Sequence, residues 1–387
     1  MAEREYDIVI CGATGFTGAL TAEYLAANAP AGTRWALAGR NRQKLEGVRS
    51  RLADASDLSL LHADVTDADS LRAVAESTKV LITTIGPYIL HGEPLVAACA
   101  AAGTDYVDLT GEPEFVDLMW LRHHEEAERT GARLVHSCGF DSIPYDLGAL
   151  FTVNQLPEGI PITLTEMIRV SASFSGGTYH SAVHIMGRLR HSVRVARERR
   201  EREERPSNRR VRGTTARPHR DAETGWWVVP YPTIDPQTIL RSARALDRYG
   251  PEFRLAVYLA AKRLPALAGL GAGAATLVAL AQLQPTRNLL LKLKDPGTGP
   301  APEQRERSWF KLRCVGEADG TRVITQVSGG DPGYGETSKM LAESALCLAH
   351  DDLPQRAGQL TPAVAMGQTL VDRLQKAGID FSVVEKR

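Results

Sequence analysis

VICGATGFTG, residues Val9 to Gly18, is the stretch on which the fold turns. It begins inside a short apolar run, YDIVIC, and places glycines at 12, 15 and 18 ahead of a run of helical composition, GALTAEYLAANA. A strand that ends in a three-glycine turn and opens a helix lets the backbone come close to a pyrophosphate. The helix start then offers that anion unpaired N–H groups and the positive end of the helix dipole. Thr14, Phe16 and Thr17 fill the positions between the glycines, and the two hydroxyls are placed to cap the helix or touch a phosphate. Gly12, Thr14, Gly15, Phe16, Thr17 and Gly18 are therefore the first candidate residues for holding a dinucleotide.

Outward from this loop, residues 1–150 alternate short apolar runs (RWALAG, LSLLHAD, VLITTIG, YVDLTG, ARLVHSCG) with helical stretches. That rhythm predicts a parallel sheet covered on both faces. Past about residue 160 the pattern changes. TLTEMIRVSASF reads as a strand, and SWFKLRCVGEADGTRVITQVSG reads as a hairpin turning at Asp319-Gly320. The fold class expected is α/β, with a second α+β domain over 151–330 built on a mostly antiparallel sheet. The helical tail, about 331–387, is expected to pack back onto the first domain.

Composition agrees with two soluble globular domains in 387 residues. Lys plus Arg and Asp plus Glu both number 46, which argues against a nucleic-acid partner. Five scattered cysteines without a CxxC pair argue against a disulfide framework, and no His/Cys/Asp cluster has metal-ligand spacing. No apolar segment follows a basic start at the N-terminus, so a cytoplasmic location is expected. Two stretches depart from the average. Residues 188–220 carry thirteen arginines against four glutamates, an excess of nine positive charges. They read either as a solvated helix and loop or as a surface for an acidic carrier protein or an anionic membrane. Residues 264–286 contain no charged side chain, and basic residues flank them (Lys262, Arg263, Arg287). A membrane span, an interfacial helix and a buried helix lining an apolar site are all open there.

The end of the second expected strand decides which dinucleotide is bound. An NAD site places Asp or Glu there to grip the ribose 2′-hydroxyl. This chain has LAGRNRQK, with no carboxylate and with Arg40 and Arg42 available to clamp a 2′-phosphate. NADPH is thus expected over NADH, with Arg40 the first contact and Arg42 the second. Asp64 and Val65, after the third strand, are placed to bracket the adenine. Gly86 and Pro87, in TTIGPY, pass the pyrophosphate and the nicotinamide ribose.

With GATGFTG, AGRNRQKL, IGPYILHGEPLVAACAAAGTDYVDLTGE, HSCGFDSIPYDLG, SGGT and DPGYGETSKMLAESALCLA in place, the chain resembles the saccharopine dehydrogenase-like oxidoreductases nearly end to end. Within them it is most similar to the actinobacterial trans-acting enoyl reductases. The resemblance implies a Rossmann domain interrupted by the second domain. It also implies reduction of a C=C bond conjugated to a thioester, on lipid-like acyl chains held by a polyketide synthase. Two other readings stand beside it: an NADP-linked dehydrogenase of amino acids or imines, and a non-catalytic, membrane-associated nucleotide-binding protein. An acyl carrier protein partner, peripheral contact with the inner face of the cell membrane and a homo-oligomer are compatible with the leading reading.

Hydride addition to an enoyl thioester builds an enolate, which needs hydrogen-bond donors and then a proton. Polar residues in four segments are available: Tyr88 and His91; Asp108, Thr110 and Glu112; Asp141, Ser142 and Tyr145; Ser175, Thr178, Tyr179 and His180. Tyr88 and Tyr179 are the expected catalytic donors, facing each other across the cleft. Asp141 and Asp146 read as caps of the helix beginning near Ile143, and Glu112 as a residue holding a loop or ribose. His123 and His124, in RHHEEAER, read as solvent-exposed.

Overall fold

Tyr6–Cys11 forms the first strand, β1, and all six of its residues are buried, as a parallel strand covered on both faces requires. The computed structural model describes residues 4–53, 55–172, 176–214, 217–231, 233–293 and 300–387. After β1 come α1 (Phe16–Asn28), β2 (Trp35–Gly39), α2 (Arg42–Arg49), β3 (Ser59–His62), α3 (Ala68–Ser77) and β4 (Thr78–Thr83). Next are α4 (Tyr88–His91), α5 (Glu93–Ala102), β5 (Asp105–Asp108), α6 (Pro113–Thr130), β6 (Arg133–Val135) and α7 (Ile143–Val153). The middle of the chain supplies β7 (Ile162–Ser171), α8 (Gly176–Gly187), α9 (Leu189–Arg202), β8 (Arg210–Gly213), β9 (His219–Arg220) and β10 (Trp227–Pro230). It continues with α10 (Asp235–Ala245), β11 (Glu252–Ala261), α11 (Leu264–Ala281), α12 (Gln284–Leu291) and α13 (Pro302–Glu306). The last part holds β12 (Trp309–Ala318), β13 (Thr321–Gly329), α14 (Gly335–His350), β14 (Gly358–Leu360), α15 (Pro362–Ala365), α16 (Gly367–Lys376) and β15 (Asp380–Lys386).

Seven strands form a parallel sheet in the order β14-β6-β5-β4-β1-β2-β3, so the expected Rossmann-type sheet is present. A second sheet runs β15-β13-β12-β7-β11-β10-β9, with β8 also pairing with β11. It is antiparallel except where β11 meets β7 and β8. The β12–β13 hairpin turns at Asp319 (φ 45°) and Gly320 (φ 77°), a two-residue turn with the handedness that twisted strands favour. The tail divides between the sheets. α14 covers the parallel sheet and β14 extends its edge, but β15 crosses back to pair with β13.

α7 explains how the two sheets share a core. Ten of its eleven residues are buried, and it packs on β12 and β13 as well as on α10, α15 and α16. Gly148 keeps that contact close: a Cβ there would lie 3.1 Å from Val327 Cγ2 and 3.4 Å from Cys314 Sγ, and both side chains would have to give way. One continuous apolar cluster therefore runs from Ile8 and Ile10 through Tyr145 and Leu147 to Phe310, Leu312 and Met340.

Two placements considered for residues 264–286 are corrected by the structure. The segment is not a buried helix, since residues 271–276 of α11 are all exposed. Nor is any helix among the described residues long and apolar enough to cross a membrane. The arginine-rich stretch is only partly a solvated helix. Arg188 pairs with the buried Glu114, Arg199 with the buried Asp117, and Arg209 donates to Leu246 O.

Candidate active site

The glycine loop is shaped by backbone-to-backbone contact. Gly12 has φ +94°, and a Cβ on it would meet Thr84 Oγ1 at 2.8 Å and Ile85 Cγ1 at 2.9 Å. A Cβ on Gly18 would lie 2.3 Å from Gly12 O. Thr84 completes the clasp, donating its N–H to Cys11 O (3.0 Å) and its hydroxyl to Gly12 O (3.1 Å). Gly15 differs from the other two. It is exposed, and the nearest atom to a Cβ there is Gly12 O at 3.4 Å. A side chain at Gly15 would occupy the outer surface of the loop, where a pyrophosphate has to approach the start of α1. The residues thus fit a dinucleotide: Thr14 and Gly15 are exposed, Gly12, Phe16 and Thr17 are half-buried beside them, and Gly18 is buried behind the loop. Neither threonine caps α1, whose N-cap is Gly15 itself. Phe16 packs edge-on against Tyr334 at 4.9 Å, which fixes the loop to the segment before α14.

Arg40 follows β2 directly, is exposed, and makes no hydrogen bond or ion pair among the described residues. Arg42 is instead engaged with Glu46 at 3.2 Å on the first turn of α2. Asn41 caps that helix by accepting from Lys44 N. Arg40 is therefore the guanidinium left open at the strand end. Asp64 closes its own turn, accepting from Thr66 N and Thr66 Oγ1 at 2.9 and 2.8 Å. Those two bonds hold its carboxyl below the usual range, with Arg40 adding a smaller electrostatic pull. Val65 is half-buried against the apolar cluster that also contains Ala63 and Leu71. Gly86 and Pro87 form the turn leaving β4, and Gly86 is exposed.

Tyr88 does not sit as a substrate donor should. It is buried, its hydroxyl donates to Thr83 O (3.2 Å) and accepts from Leu109 N (3.1 Å), and it thereby bridges the ends of β4 and β5. Burial, reinforced by the Asp108 charge, keeps the phenol protonated. Glu112 anchors the same turn, accepting from Tyr88 N and Ile89 N at 2.9 Å each and from Ser181 Oγ at 2.9 Å. It is thus a brace between the start of α4 and α8, the loop-holding half of its expected role. Tyr179 is half-buried, packing with Val183, Ala281 and Leu290, so the two tyrosines are engaged in different surroundings. Ser175 lies outside the described residues, as does the Thr178 side chain.

Two constellations were not legible in the sequence. Asp108 accepts from Tyr106 Oη (2.9 Å), Thr110 N (3.0 Å), Ser137 N (2.9 Å) and His136 Nδ1 (2.7 Å). With Thr110 N and Ser137 N donating to its other oxygen, Asp108 takes up the imidazole through Nδ1–H. His136 Nε2 is buried without a partner and lines a cavity of about 760 Å³ between α6, α9, α10 and β14. The rings of Tyr88, Phe115 and His136 stand in succession, at 5.8 and 5.4 Å, and link the Tyr88 turn to this cavity. The second constellation is Asp141, Tyr145, Tyr231 and Asp235. Asp141 does not cap α7, whose N-cap is Ser142. Its Oδ2 lies against Gly111 in the loop after β5, where a Cβ would be 2.9 Å away. Tyr145 and Tyr231 stack at 6.4 Å, and Asp235 Oδ1 is buried with no hydrogen-bond partner. Burial pushes both carboxyls up, and their mutual repulsion raises Asp235 further, so this pair holds a proton. Asp146 is buried too, accepting from Ser242 Oγ and Ala363 N, and it joins α7 to α10 and α15 rather than capping α7 from outside. His123 and His124 are half-buried, not solvent-exposed: His123 faces Glu93 at 3.3 Å, and His124 stacks on Trp120 and accepts from Gln359 N.

A parallel sheet with a glycine cradle at its carboxyl edge and an open arginine after the second strand defines a dinucleotide-dependent oxidoreductase. Residues 8–135 match the saccharopine dehydrogenase NADP binding domain. The chain is 36% identical to a trans-acting enoyl reductase of Mycobacterium ulcerans over 98% of both chains. It is also 36% identical to one of Mycobacterium tuberculosis, over 98% of this chain and 97% of that one. It belongs to this family, the trans-acting enoyl reductases of the saccharopine dehydrogenase-like group, and is an NADP-dependent oxidoreductase. The fold is shared with yeast saccharopine dehydrogenase (L-Glu forming), at TM-score 0.55 and 14% identity over 98% of this chain and all of that one.

Proposed function

We propose that the chain reduces the C=C bond of an enoyl thioester, with NADPH preferred to NADH, on an acyl chain carried by a separate polyketide or lipid synthase. Kinship with enoyl reductases over nearly the whole chain is the observation that carries this reading. NADPH, held by the glycine loop and Arg40, would supply the hydride for the β-carbon, and the charge left on the thioester oxygen would be discharged by protonation of the α-carbon. The chain's own residues then have three tasks. Arg40 holds the 2′-phosphate, and the loop around Gly15 holds the pyrophosphate. The Asp141–Asp235 pair stores the proton beside Gly111, at the carboxyl edge where α/β sheets bind ligands. Of the two tyrosines expected as donors, Tyr179 is left for the thioester oxygen, on a helix that Ser181 ties to Glu112.

Arg190, Arg194, Arg200 and Arg205 are exposed and make no ion pair among the described residues, which suits an acidic carrier protein. The reaction is tested by following NADPH consumption with an enoyl thioester on pantetheine and on a carrier protein, with product mass confirming addition of two hydrogens. Asp141→Asn is expected to lower kcat by at least tenfold while leaving NADPH binding intact. Charge reversal at Arg190 and Arg194 should raise KM for the carrier-borne substrate alone. Oxidation of amino acids with NADP, and no turnover of any enoyl thioester, would instead favour the dehydrogenase reading.

A further inference from the structure

The most anomalous surface of the molecule is the α11–α12 hairpin. From residue 264 to 286 no side chain carries a charge, yet residues 271–276 are all exposed. Gly269 and Gly273 lie on nearly the same side of α11, and Gly271 lies about 200° round the helix from Gly269. A Cβ at any of the three would meet nothing within 4 Å, so at these positions, on opposite sides, the helix touches no other part of the protein. Contact with the body is made towards its ends, through Leu267 near the start and through Leu277 and Ala281, packed with Val183 and Leu290, towards the finish. Leu264, Leu280, Leu283, Leu289 and Leu293 are exposed along the same hairpin, between 39% and 69%. An uncharged helix surrounded by water forfeits the burial that normally stabilises such a sequence.

The charges beside it indicate what covers it. Residues 262–293 include Lys262, Arg263, Arg287 and Lys292 and not one Asp or Glu. A protein partner covers one face of a helix, whereas lipid surrounds it, and α11 is open on opposite faces. Its 18 residues span about 27 Å, less than the roughly 30 Å hydrocarbon core, and no described helix meets the requirement for crossing. We infer that α11–α12 is a membrane-docking hairpin that sinks its uncharged middle into the surface layer of an anionic bilayer while Lys262, Arg263, Arg287 and Lys292 contact the headgroups. This deepens the bilayer contact compatible with the proposed function, but it rests on the hairpin alone and holds whatever the reaction is.

The test uses the full chain and vesicles without substrate, so its result is separable from that of the enoyl reductase assay. Flotation with phosphatidylglycerol vesicles should carry the protein upward, with at least tenfold less recovered on phosphatidylcholine. Each neutralised base among the four should weaken binding about fivefold. The five cysteines are buried, so a polarity-sensitive dye can be placed at Gly271→Cys and, as a control, at the exposed Glu158→Cys. Vesicles should blue-shift the first label and leave the second unchanged. Leu283→Ser with Leu289→Ser should reduce flotation while NADPH binding shows that the variant is folded. A protein that stays in the aqueous fraction with both lipids overturns the inference. So does light scattering that shows a dimer abolished by the same two substitutions, which would make a second copy the occupant.

Discussion

Gly18 and Gly12 both resist a side chain, but for different reasons, and the difference can be measured. At Gly18 the obstacle is a backbone oxygen 2.3 Å from the Cβ position, which cannot swing aside. Gly18→Ala should therefore cost about 1–3 kcal/mol in urea unfolding and weaken NADPH binding as the loop opens. Gly15→Ala has room and should spare stability while weakening NADPH, because the methyl group meets the ligand instead of the protein. Arg40→Asp removes a charge-assisted contact worth about 1.5–3 kcal/mol and introduces repulsion. KM for NADPH should rise by roughly ten- to a hundredfold, with NADH little affected; an unaltered NADPH preference in steady-state kinetics removes Arg40 from the site. Tyr88→Phe separates two roles for that hydroxyl. If it only bridges Thr83 and Leu109, the variant strands a buried N–H at a cost of about 1–3 kcal/mol, and kcat changes less than threefold. A collapse of kcat at unchanged stability would restore Tyr88 as a substrate donor.

At the scale of elements, legibility follows sequence distance. The β1–α1 loop and the β12–β13 hairpin were readable because a local run carries both the strand and its turn chemistry. The Asp108–His136 pair is 28 positions apart, and Asp141 and Asp235 are 94 apart, so only the adjacency of β5 with β6 and the packing of α10 on α7 bring them together. Tyr88 misled for a related reason. Its place after β4 was right, but a side chain's direction at a strand end is set by neighbours such as Phe115, which no local pattern shows. Asp146 is the element-level case with a pH consequence. Burial raises its carboxyl to about 7 where α7, α10 and α15 meet. An unfolded aspartate releases its proton near pH 4, so between these values the folded state binds more protons and stability falls as pH rises. The contribution is complete below about pH 4 and gone once pH has risen through about 7. Asp146→Asn keeps an acceptor without the charge, and urea midpoints measured from pH 4 to 8 should fall less steeply than in the parent. Equal slopes would mean that Asp146 is ionised throughout.

For the whole molecule, the question is whether two sheets amount to two independent domains. The sequence suggested so, from the change of rhythm near residue 160, yet the packing points the other way. One apolar cluster contains Ile10 of the parallel sheet, Phe310 and Val327 of the other, and Met340 of α14. Eleven of the sixteen residues of α14 are buried, and its neighbours hold it with charge: Tyr24 Oη donates to Glu343 at 2.8 Å, and Arg373 Nε donates to the same carboxylate at 2.9 Å. Past α14 the chain adds β14 to one sheet and β15 to the other, so neither sheet is complete without residues beyond 357. A shared core with an interleaved tail should unfold as a unit, although chains of this size often do not. In urea, loss of NADPH binding reports the parallel sheet. With Trp35 and Trp120 replaced by Phe, the fluorescence of Trp226, Trp227 and Trp309 reports the second sheet. The two midpoints should coincide. Met340→Ala, at a side chain with no exposed surface, should lower both midpoints together, for a loss of about 2–5 kcal/mol in unfolding free energy by either probe. If the variant shifted only NADPH binding, the parallel sheet would be a separate folding unit and the continuous cluster merely a contact between two domains.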